Sequence, residues 1–288
     1  MKISAIIPTK NEPGIDKVIY EIKRVFKNAE IIVVDKSSDD TPLRAKKAGA
    51  RVIYQKSSGY GGAYLTGFKH VSGDIILMID GDMSYDPRQF KELIKPVLND
   101  EADLVIGNRF AGMKSGAMSL VNKIGNKYLT WLLNKTYGVD IQDSQSGMRV
   151  ISRKALEKLS LEERGMSLAS EMLIEAVKKG LRIAEKPISY RPRVGKAKQS
   201  VSNGFRIMGT TLRLIRDYNP LLTFSLLSLA MFIPGLIIGI SIVTEWLKTG
   251  VIVRLASVVL SSMLIITSLF IFFVGLMIDL VAKELRKK

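Results

Sequence analysis

The stretch Ile75-Ile76-Leu77-Met78-Ile79-Asp80-Gly81-Asp82 decides the fold. Five apolar residues in a row, too few for a helix and with no polar alternation, read as a strand buried on both faces. The run stops at two carboxylates separated by a glycine. Sheets built from such strands are mostly parallel, and their ligands sit beyond the C-terminal ends of the strands.

Working outward, the same grammar repeats. Ile3 to Pro8, Ile31 to Val34, Arg51 to Tyr54 and Leu104 to Ile106 read as further strands. Helical stretches fall between them at Ile15 to Phe26, Pro42 to Ala48 and Pro87 to Leu98. Thr41 before Pro42 reads as an N-cap hydroxyl with proline at the first helical position. Alternating strands and helices predict an α/β domain with a mostly parallel, Rossmann-like sheet covered on both faces.

The strand ends carry the polar residues. Pro8-Thr9-Lys10-Asn11-Glu12 follows the first strand, Val33-Val34-Asp35 closes the second, and Asp80-Gly81-Asp82 follows the fourth. Two carboxylates flanking a small residue suit a hard divalent cation with oxygen ligands, Mg²⁺ or Mn²⁺, which would bridge phosphate oxygens and stabilise a leaving nucleoside diphosphate. Gly81 permits close backbone approach. Glu12 and Asp35 are placed to accept hydrogen bonds from a base or ribose; singly, each reads as a cap or a turn residue. Gly59-Tyr60-Gly61-Gly62-Ala63 reads either as a phosphate-cradling loop or as a site of tight helix packing, and it lacks the Gly-Lys-Ser/Thr of a nucleotide-binding P-loop.

Composition adds a second substrate environment. The chain has 288 residues, no cysteine and a net charge of +16. Zero cysteines exclude a disulfide scaffold and thiolate metal sites. Asn219 to Thr244 and Leu255 to Ile278 contain no charged residue, and each run exceeds the roughly 20 residues that span a bilayer. No basic region followed by a helical apolar core precedes Ile3, so no secretory signal is expected. Arg213 and Arg216 before the first run, and Lys283, Arg286, Lys287 and Lys288 after the second, predict a two-span protein of the cell membrane with both termini and the catalytic domain cytoplasmic. Residues 182–217 carry a net charge of +7. Beside a bilayer, this stretch is read as a contact for lipid phosphate rather than nucleic acid. Within it, Phe205, Met208, Leu212 and Ile215 share one face of an amphipathic helix over 203–217. The expected organisation is a domain over 1–202, this juxtamembrane helix, and a two-helix membrane region over 218–288. Gly235 and Gly239 have a spacing that promotes helix association, and with it a homo-oligomer.

Taken in order, Ile7 to Glu12, Val33-Val34-Asp35, Gly59 to Ala63, Asp80-Gly81-Asp82, Gly107-Asn108-Arg109-Phe110 and Asp143-Ser144-Gln145-Ser146-Gly147-Met148-Arg149 resemble the family 2 glycosyltransferases of GT-A fold. Within that family they are most similar to the dolichyl- and polyprenyl-phosphate hexose synthases, the dolichol-phosphate mannose synthases among them. The resemblance covers about residues 1–200. It implies that Pro8, Lys10, Glu12, Val33 and Asp35 line the nucleoside pocket, and that Asp80, Gly81 and Asp82 hold metal and diphosphate, with Ser84 as a further metal ligand. Arg109 would meet the donor or acceptor phosphate, and the loop from Asp143 to Arg149 would shape the acceptor site. Arg193 and Lys198 would close over the diphosphates. Lys10, Lys36, Ser84 and Ala197 depart from the family pattern, and Ser84 replaces a glutamine of the mannose synthases.

The activity implied is metal-dependent, inverting transfer of a hexose from a nucleotide-sugar to dolichyl or polyprenyl phosphate at the cytoplasmic membrane face. GDP-mannose is the first choice of donor and UDP-glucose the second. A lipid monophosphate is already ionised near neutral pH, so Asp143 is read as a positioning group or weak base. Arg109, Arg149, Arg193 and Lys198 neutralise charge as two anions meet. A processive polysaccharide synthase would carry more spans and a Gln-x-x-Arg-Trp motif, and neither Trp131 nor Trp246 sits in one. A non-catalytic, membrane-anchored binding protein is the remaining alternative, and the intact Asp80/Asp82 pair argues against it.

Overall fold

The computed structural model describes residues 1–56, 58–194, 209 and 220–285. The chain divides into two compact units, Met1–Thr211 and Leu212–Lys288. The expected juxtamembrane helix over 203–217, apart from residue 209, the 202/203 boundary and Lys198 lie outside the described residues.

The first unit is a seven-stranded sheet in the order β3-β2-β1-β4-β6-β5-β7. Its strands are β1 (Ile3–Thr9), β2 (Glu30–Asp35), β3 (Arg51–Tyr54), β4 (Ile75–Met78), β5 (Leu104–Met113), β6 (Arg149–Ser152) and β7 (Ile183–Tyr190). All run parallel except β6, which lies antiparallel between β4 and β5. The expected mostly parallel sheet is therefore present, with β6 and β7 as strands that the sequence reading did not resolve. Helices α1 (Ile15–Val25), α2 (Thr41–Lys47), α3 (Tyr60–Phe68), α4 (Phe90–Leu93), α5 (Lys95–Leu98), α6 (Leu120–Tyr137), α7 (Arg153–Leu156) and α8 (Leu168–Lys178) connect and cover it. Ile15, Val18, Ile19 and Ile22 of α1 are fully or almost fully buried against the β1–β2–β4 face, with Ala5, Ile7, Val33 and Leu77 in the same core.

The expected single helix over 87–98 is broken into a short 3₁₀ turn, α4 and α5. Pro96 lies in the first turn of α5, where it can start a helix but not continue one. Thr41 does not cap α2 with its hydroxyl. Its Oγ1 instead accepts the Glu12 backbone N–H at 2.9 Å, tying the β1 loop to the start of α2.

The glycine-rich segment takes the packing alternative. Gly61 and Gly62 open α3 and donate their N–H groups to the carbonyls of Gly165 and Arg164, each at 3.0 Å. Those amides are committed to protein and cradle no phosphate. A methyl group at Gly61 would collide with the Glu163 carbonyl oxygen. Gly61→Ala is accordingly expected to lower unfolding free energy by about 1–3 kcal/mol through overpacking, read as a drop in the midpoint of denaturant unfolding.

The second unit is a pair of long helices, Pro220–Thr249 and Leu255–Leu285, joined by a five-residue turn. Both are long and apolar enough to cross a membrane, and most of their surface is exposed. Gly235 and Gly239 face the partner helix of the same chain. Added methyl groups would lie 3.0 Å from Leu264 and 3.0 Å from the Ser261 hydroxyl, which itself donates to the Gly235 carbonyl at 2.8 Å. The Gly-x-x-x-Gly spacing thus serves contact within the chain, and the oligomer read from it loses that support.

Candidate functional site

Three parallel strands end on one rim. β1 continues into Lys10-Asn11-Glu12, β2 ends at Asp35, and β4 leads into Asp80-Gly81-Asp82. The rim is stitched before any ligand arrives. Asp35 accepts from the Thr9 hydroxyl at 2.7 Å, the Ser37 N–H at 3.0 Å and the Ser37 hydroxyl at 2.6 Å. Asn11 sits at φ 54° and accepts the Ser38 N–H at 2.8 Å. Pro8 is half-buried in register with Val34, and Lys10 is exposed on the rim.

Val33 does not reach this rim. Its side chain is fully buried in the core shared with Ile7 and Ile31. Val33 and Asp35 share one face of β2, and Val33 lies two residues short of the mouth, so its side chain packs in the sheet-helix interior while Asp35 reaches the rim.

The carboxylate turn is tightly built. A methyl group at Gly81 would press on Thr9 at 3.0 Å and on Ile15 and Ile7, so the turn lies directly on β1. Met83 follows in a left-handed conformation, φ 63°, a backbone strain borne by a non-glycine residue beside the carboxylates. Asp80 accepts the Tyr60 hydroxyl at 2.6 Å. Asp82 accepts the Ser84 N–H at 3.0 Å and its hydroxyl at 2.5 Å. Ser84 is buried, and its hydroxyl orients Asp82. That donation leaves the oxygen lone pairs of Ser84 beside the carboxylates, where a metal ligand is expected.

The end of β7 and the segment 191–194 that follows it return along this turn. Tyr190 bridges Tyr85, the Arg191 N–H donates to the Ser84 carbonyl at 2.9 Å, and the Val194 N–H donates to the Asp82 carbonyl at 3.0 Å. That register delivers Arg193 to the acidic cluster, 3.1 Å from Glu12 and 3.7 Å from Asp82.

The cluster is acidic and short of countercharge. Burial, with Asp82 and Glu12 nearby, pushes the Asp80 carboxyl up to about 7, against the opposing pull of Tyr60 and Arg109. A bound cation would reverse that penalty. Among the described residues, no three His, Cys, Asp or Glu side chains converge as a self-sufficient metal cage. Asp80 and Asp82 therefore fit a cation that completes its shell with phosphate oxygens and water, as Mg²⁺ does in substrate-assisted sites.

Asp143 and Arg109 are found as one unit. Asp143, fully buried, accepts from the Arg109 N–H at 3.0 Å, Nε at 2.7 Å and Nη2 at 2.8 Å. The Arg109 guanidinium also stacks 5.3 Å from the Tyr190 ring centre. With both oxygens engaged, Asp143 positions Arg109 and has no spare oxygen turned toward a proton. Arg149 is placed differently from its expected role. It is almost fully buried and donates to the carbonyls of Ser146, Ala169 and Ser144 at 2.9, 2.9 and 2.6 Å. Desolvation lowers its guanidinium to about 10. It shapes the 144–149 loop from within.

Three participants escaped sequence reading. Tyr60 lies inside the glycine motif, whose glycines are its only sequence signal, yet its hydroxyl reaches Asp80. Tyr85 accepts the Gly147 N–H at 2.8 Å, and Glu185 accepts the N–H groups of Asp143 at 2.8 Å and Gln142 at 2.9 Å. Neither carries a local sequence signal.

Comparison with known proteins agrees with this architecture. The family model "Glycosyl transferase family 2" matches residues 4–160. The chain is 41% identical over 212 residues to a low-salt glycan biosynthesis hexosyltransferase of Haloferax volcanii, covering 71% of this chain and 51% of that protein. This chain thus spans about half the length of that relative. It is 32% identical to a dolichyl-phosphate hexose transferase of the same organism, covering 73% of this chain and 92% of the relative. Glucosyl-3-phosphoglycerate synthase of Mycobacterium tuberculosis, solved with Mn²⁺, UDP-glucose and phosphoglyceric acid, superposes with a TM-score of 0.62 at 26% identity over 74% of this chain and 79% of that one. With the parallel strand ends, the carboxylate turn and these likenesses together, the chain belongs to glycosyl transferase family 2 and is a glycosyltransferase of GT-A-like fold.

Proposed function

We propose that the protein transfers a hexose from a nucleotide-sugar to a dolichyl or polyprenyl phosphate at the cytoplasmic face of the membrane, with inversion at the anomeric carbon. The observation that carries the reading is the rim on which Glu12, Asp35, Asp80, Asp82 and Arg193 converge, in a chain that also has two helices able to span a bilayer. The dolichyl-phosphate hexose transferase relative supports the acceptor class.

On this reading, Glu12 and Asp35 face the nucleoside, and Asp80 and Asp82 would hold Mg²⁺ or Mn²⁺ against the diphosphate. The metal supplies charge neutralisation of the leaving diphosphate. Arg193 leaves Glu12 and Asp82 and takes the diphosphate as a countercharge, and Lys198 joins it in that role. Arg109, held by Asp143, orients the acceptor phosphate, and Arg149 fixes the loop behind it. An ionised acceptor oxygen forms the new bond to the anomeric carbon. The bond from that carbon to the diphosphate breaks, and the nucleoside diphosphate leaves with the electron pair. The attacking phosphate oxygen carries no proton to remove, so an occupied Asp143 is no obstacle.

The membrane setting follows from solubility. Each CH₂ of a polyprenyl chain exposed to water costs about 0.8 kcal/mol, so the catalytic rim must come to the interface. GDP-mannose is the first candidate donor and UDP-glucose the second. The second gains from the UDP-glucose-bound neighbour and from Ser84, which stands in place of the mannose synthases' glutamine. That neighbour also suggests an alternative acceptor, a small soluble phosphate ester.

A panel of labelled nucleotide-sugars, each given with polyprenyl phosphate or with phosphoglycerate to the full chain in vesicles, separates these readings. One donor labelling the lipid is the expected result. Label on phosphoglycerate alone would replace the lipid acceptor.

A further inference from the structure

Helix α6 is docked to the first unit by one side alone. Leu129, Thr130 and Leu133 are buried, the Thr130 hydroxyl pairs with Ser144 at 2.9 Å, and Asn134 donates to the Ile141 carbonyl at 2.8 Å. On the opposite side stand Leu120, Val121, Ile124, Tyr128 and Trp131, which are 71, 65, 60, 47 and 54% exposed. At 3.6 residues per turn these five fall within an arc about 100° wide. Tyr128 and Trp131 stack with ring centres 5.8 Å apart, so the stripe ends in an aromatic pair. A stripe of large apolar side chains left exposed among the described residues marks an interaction surface.

The charge around the stripe identifies the occupant. From Ala111 to Val139 the chain has four lysines, Lys114, Lys123, Lys127 and Lys135, and no acidic residue. Lys123 and Lys127 border the stripe and are exposed, with Lys127 poised 5.7 Å from the Phe110 ring centre. An apolar stripe with interfacial aromatics and a purely cationic border matches an anionic bilayer surface. A groove of about 430 Å³ opens beside Trp131, walled by Phe110, Lys127, Thr130, Ile141 and Gln142. Phe110 and Gln142 adjoin Arg109 and Asp143 in sequence, so a membrane at α6 would lie beside the acceptor end of the rim.

We infer that α6 is a second membrane contact of this chain, a helix of the catalytic unit that lies in the headgroup region of an anionic bilayer with Leu120, Val121, Ile124, Tyr128 and Trp131 inserted. The inference rests on the reading of the C-terminal helices as spans only in that they keep a bilayer at hand.

The two tryptophans of the chain make the test direct, because Trp131 lies on α6 and Trp246 near the end of the first apolar helix. Full-length Trp246→Phe and Trp131→Phe variants are placed in vesicles of phosphatidylcholine and phosphatidylglycerol, some with bromine atoms near the head of the acyl chains. Trp131 emission is expected to fall about twofold with brominated lipid and to resist acrylamide. Trp246 should fall too, reporting insertion of the apolar pair. Trp246 quenched with Trp131 open to acrylamide overturns the inference and leaves the membrane reading intact. Trp131 shielded from acrylamide but untouched by bromine overturns it in favour of a protein partner, such as a second copy. Neither tryptophan quenched overturns both. A further variant adds Ile124→Glu and Lys127→Glu to Trp246→Phe. It should lose the Trp131 quenching, and unchanged quenching there would show that the stripe does not hold the helix to lipid.

Discussion

Asp82→Ala is expected to lower kcat/KM for hexosyl transfer by about 10³ or more, a loss of about 4 kcal/mol of transition-state stabilisation. Asp82 is one of two carboxylates that fit the cation, and its second oxygen lies 3.7 Å from Arg193. On the proposed reading, removing it takes away one of the two carboxylates that would hold the cation against the diphosphate. The fold should survive. The hydrogen bonds lost are those from Ser84 to Asp82, and a side-chain hydrogen bond contributes about 1 kcal/mol net. Asp82→Asn keeps an acceptor for Ser84 but removes the charge, so it should fold like the parent and remain as inactive as the alanine variant. Transfer assays beside unfolding midpoints separate these effects, and wild-type turnover in Asp82→Asn would remove Asp82 from the metal site.

The largest effect on stability is expected at Arg109. Arg109→Met leaves the Asp143 carboxylate fully buried without its charged partner. Breaking a buried ion pair from one side costs about 3–5 kcal/mol, because the remaining charge stays desolvated. Removing both charges in Arg109→Met/Asp143→Leu should recover most of that loss while leaving transfer defective. Denaturant unfolding of the two variants checks the first part and kcat/KM the second. A double variant as unstable as the single one would mean that the cost lies in packing against Tyr190, not in the orphaned charge.

The same pair explains why the site was only partly legible in the sequence. The meeting of Asp80-Gly81-Asp82, Glu12 and Asp35 at one rim was readable because each follows or closes a buried parallel strand. The roles within the Asp143–Arg149 loop were not, because they depend on which atom meets which. Asp143 and Arg149 are six residues apart, yet one caps a distant guanidinium and the other donates to three carbonyls. The resemblance puts Val33 at the nucleoside pocket, but its side chain lies on the same face as Asp35 and two residues deeper, in the core.

Fold features followed a similar division. Strands β1 to β5 announce themselves as apolar runs. β6 and β7 are short or polar enough to pass unnoticed, since Glu185 and Lys186 lie inside β7. The glycines of α3 were visible as glycines, but their partner, the backbone at 163–165, lies a hundred residues away. Gly235 and Gly239 mark close helix approach in either case, and the sequence does not say whether the other helix belongs to the same chain. In Ser84 the structure gives the departure a role: its hydroxyl holds Asp82 in place.

The most direct measurement is the transfer of label from nucleotide-sugar into organic-extractable lipid by the full chain in vesicles containing polyprenyl phosphate, after chelation and then with Mn²⁺ restored. Labelled lipid that vanishes on chelation, returns with Mn²⁺ and is absent for Asp82→Asn is the predicted result. Labelled lipid formed equally well without metal, or no labelled lipid with any donor while the protein remains folded, would contradict the assignment of Asp80 and Asp82 as the centre that activates a nucleotide-sugar for a lipid phosphate.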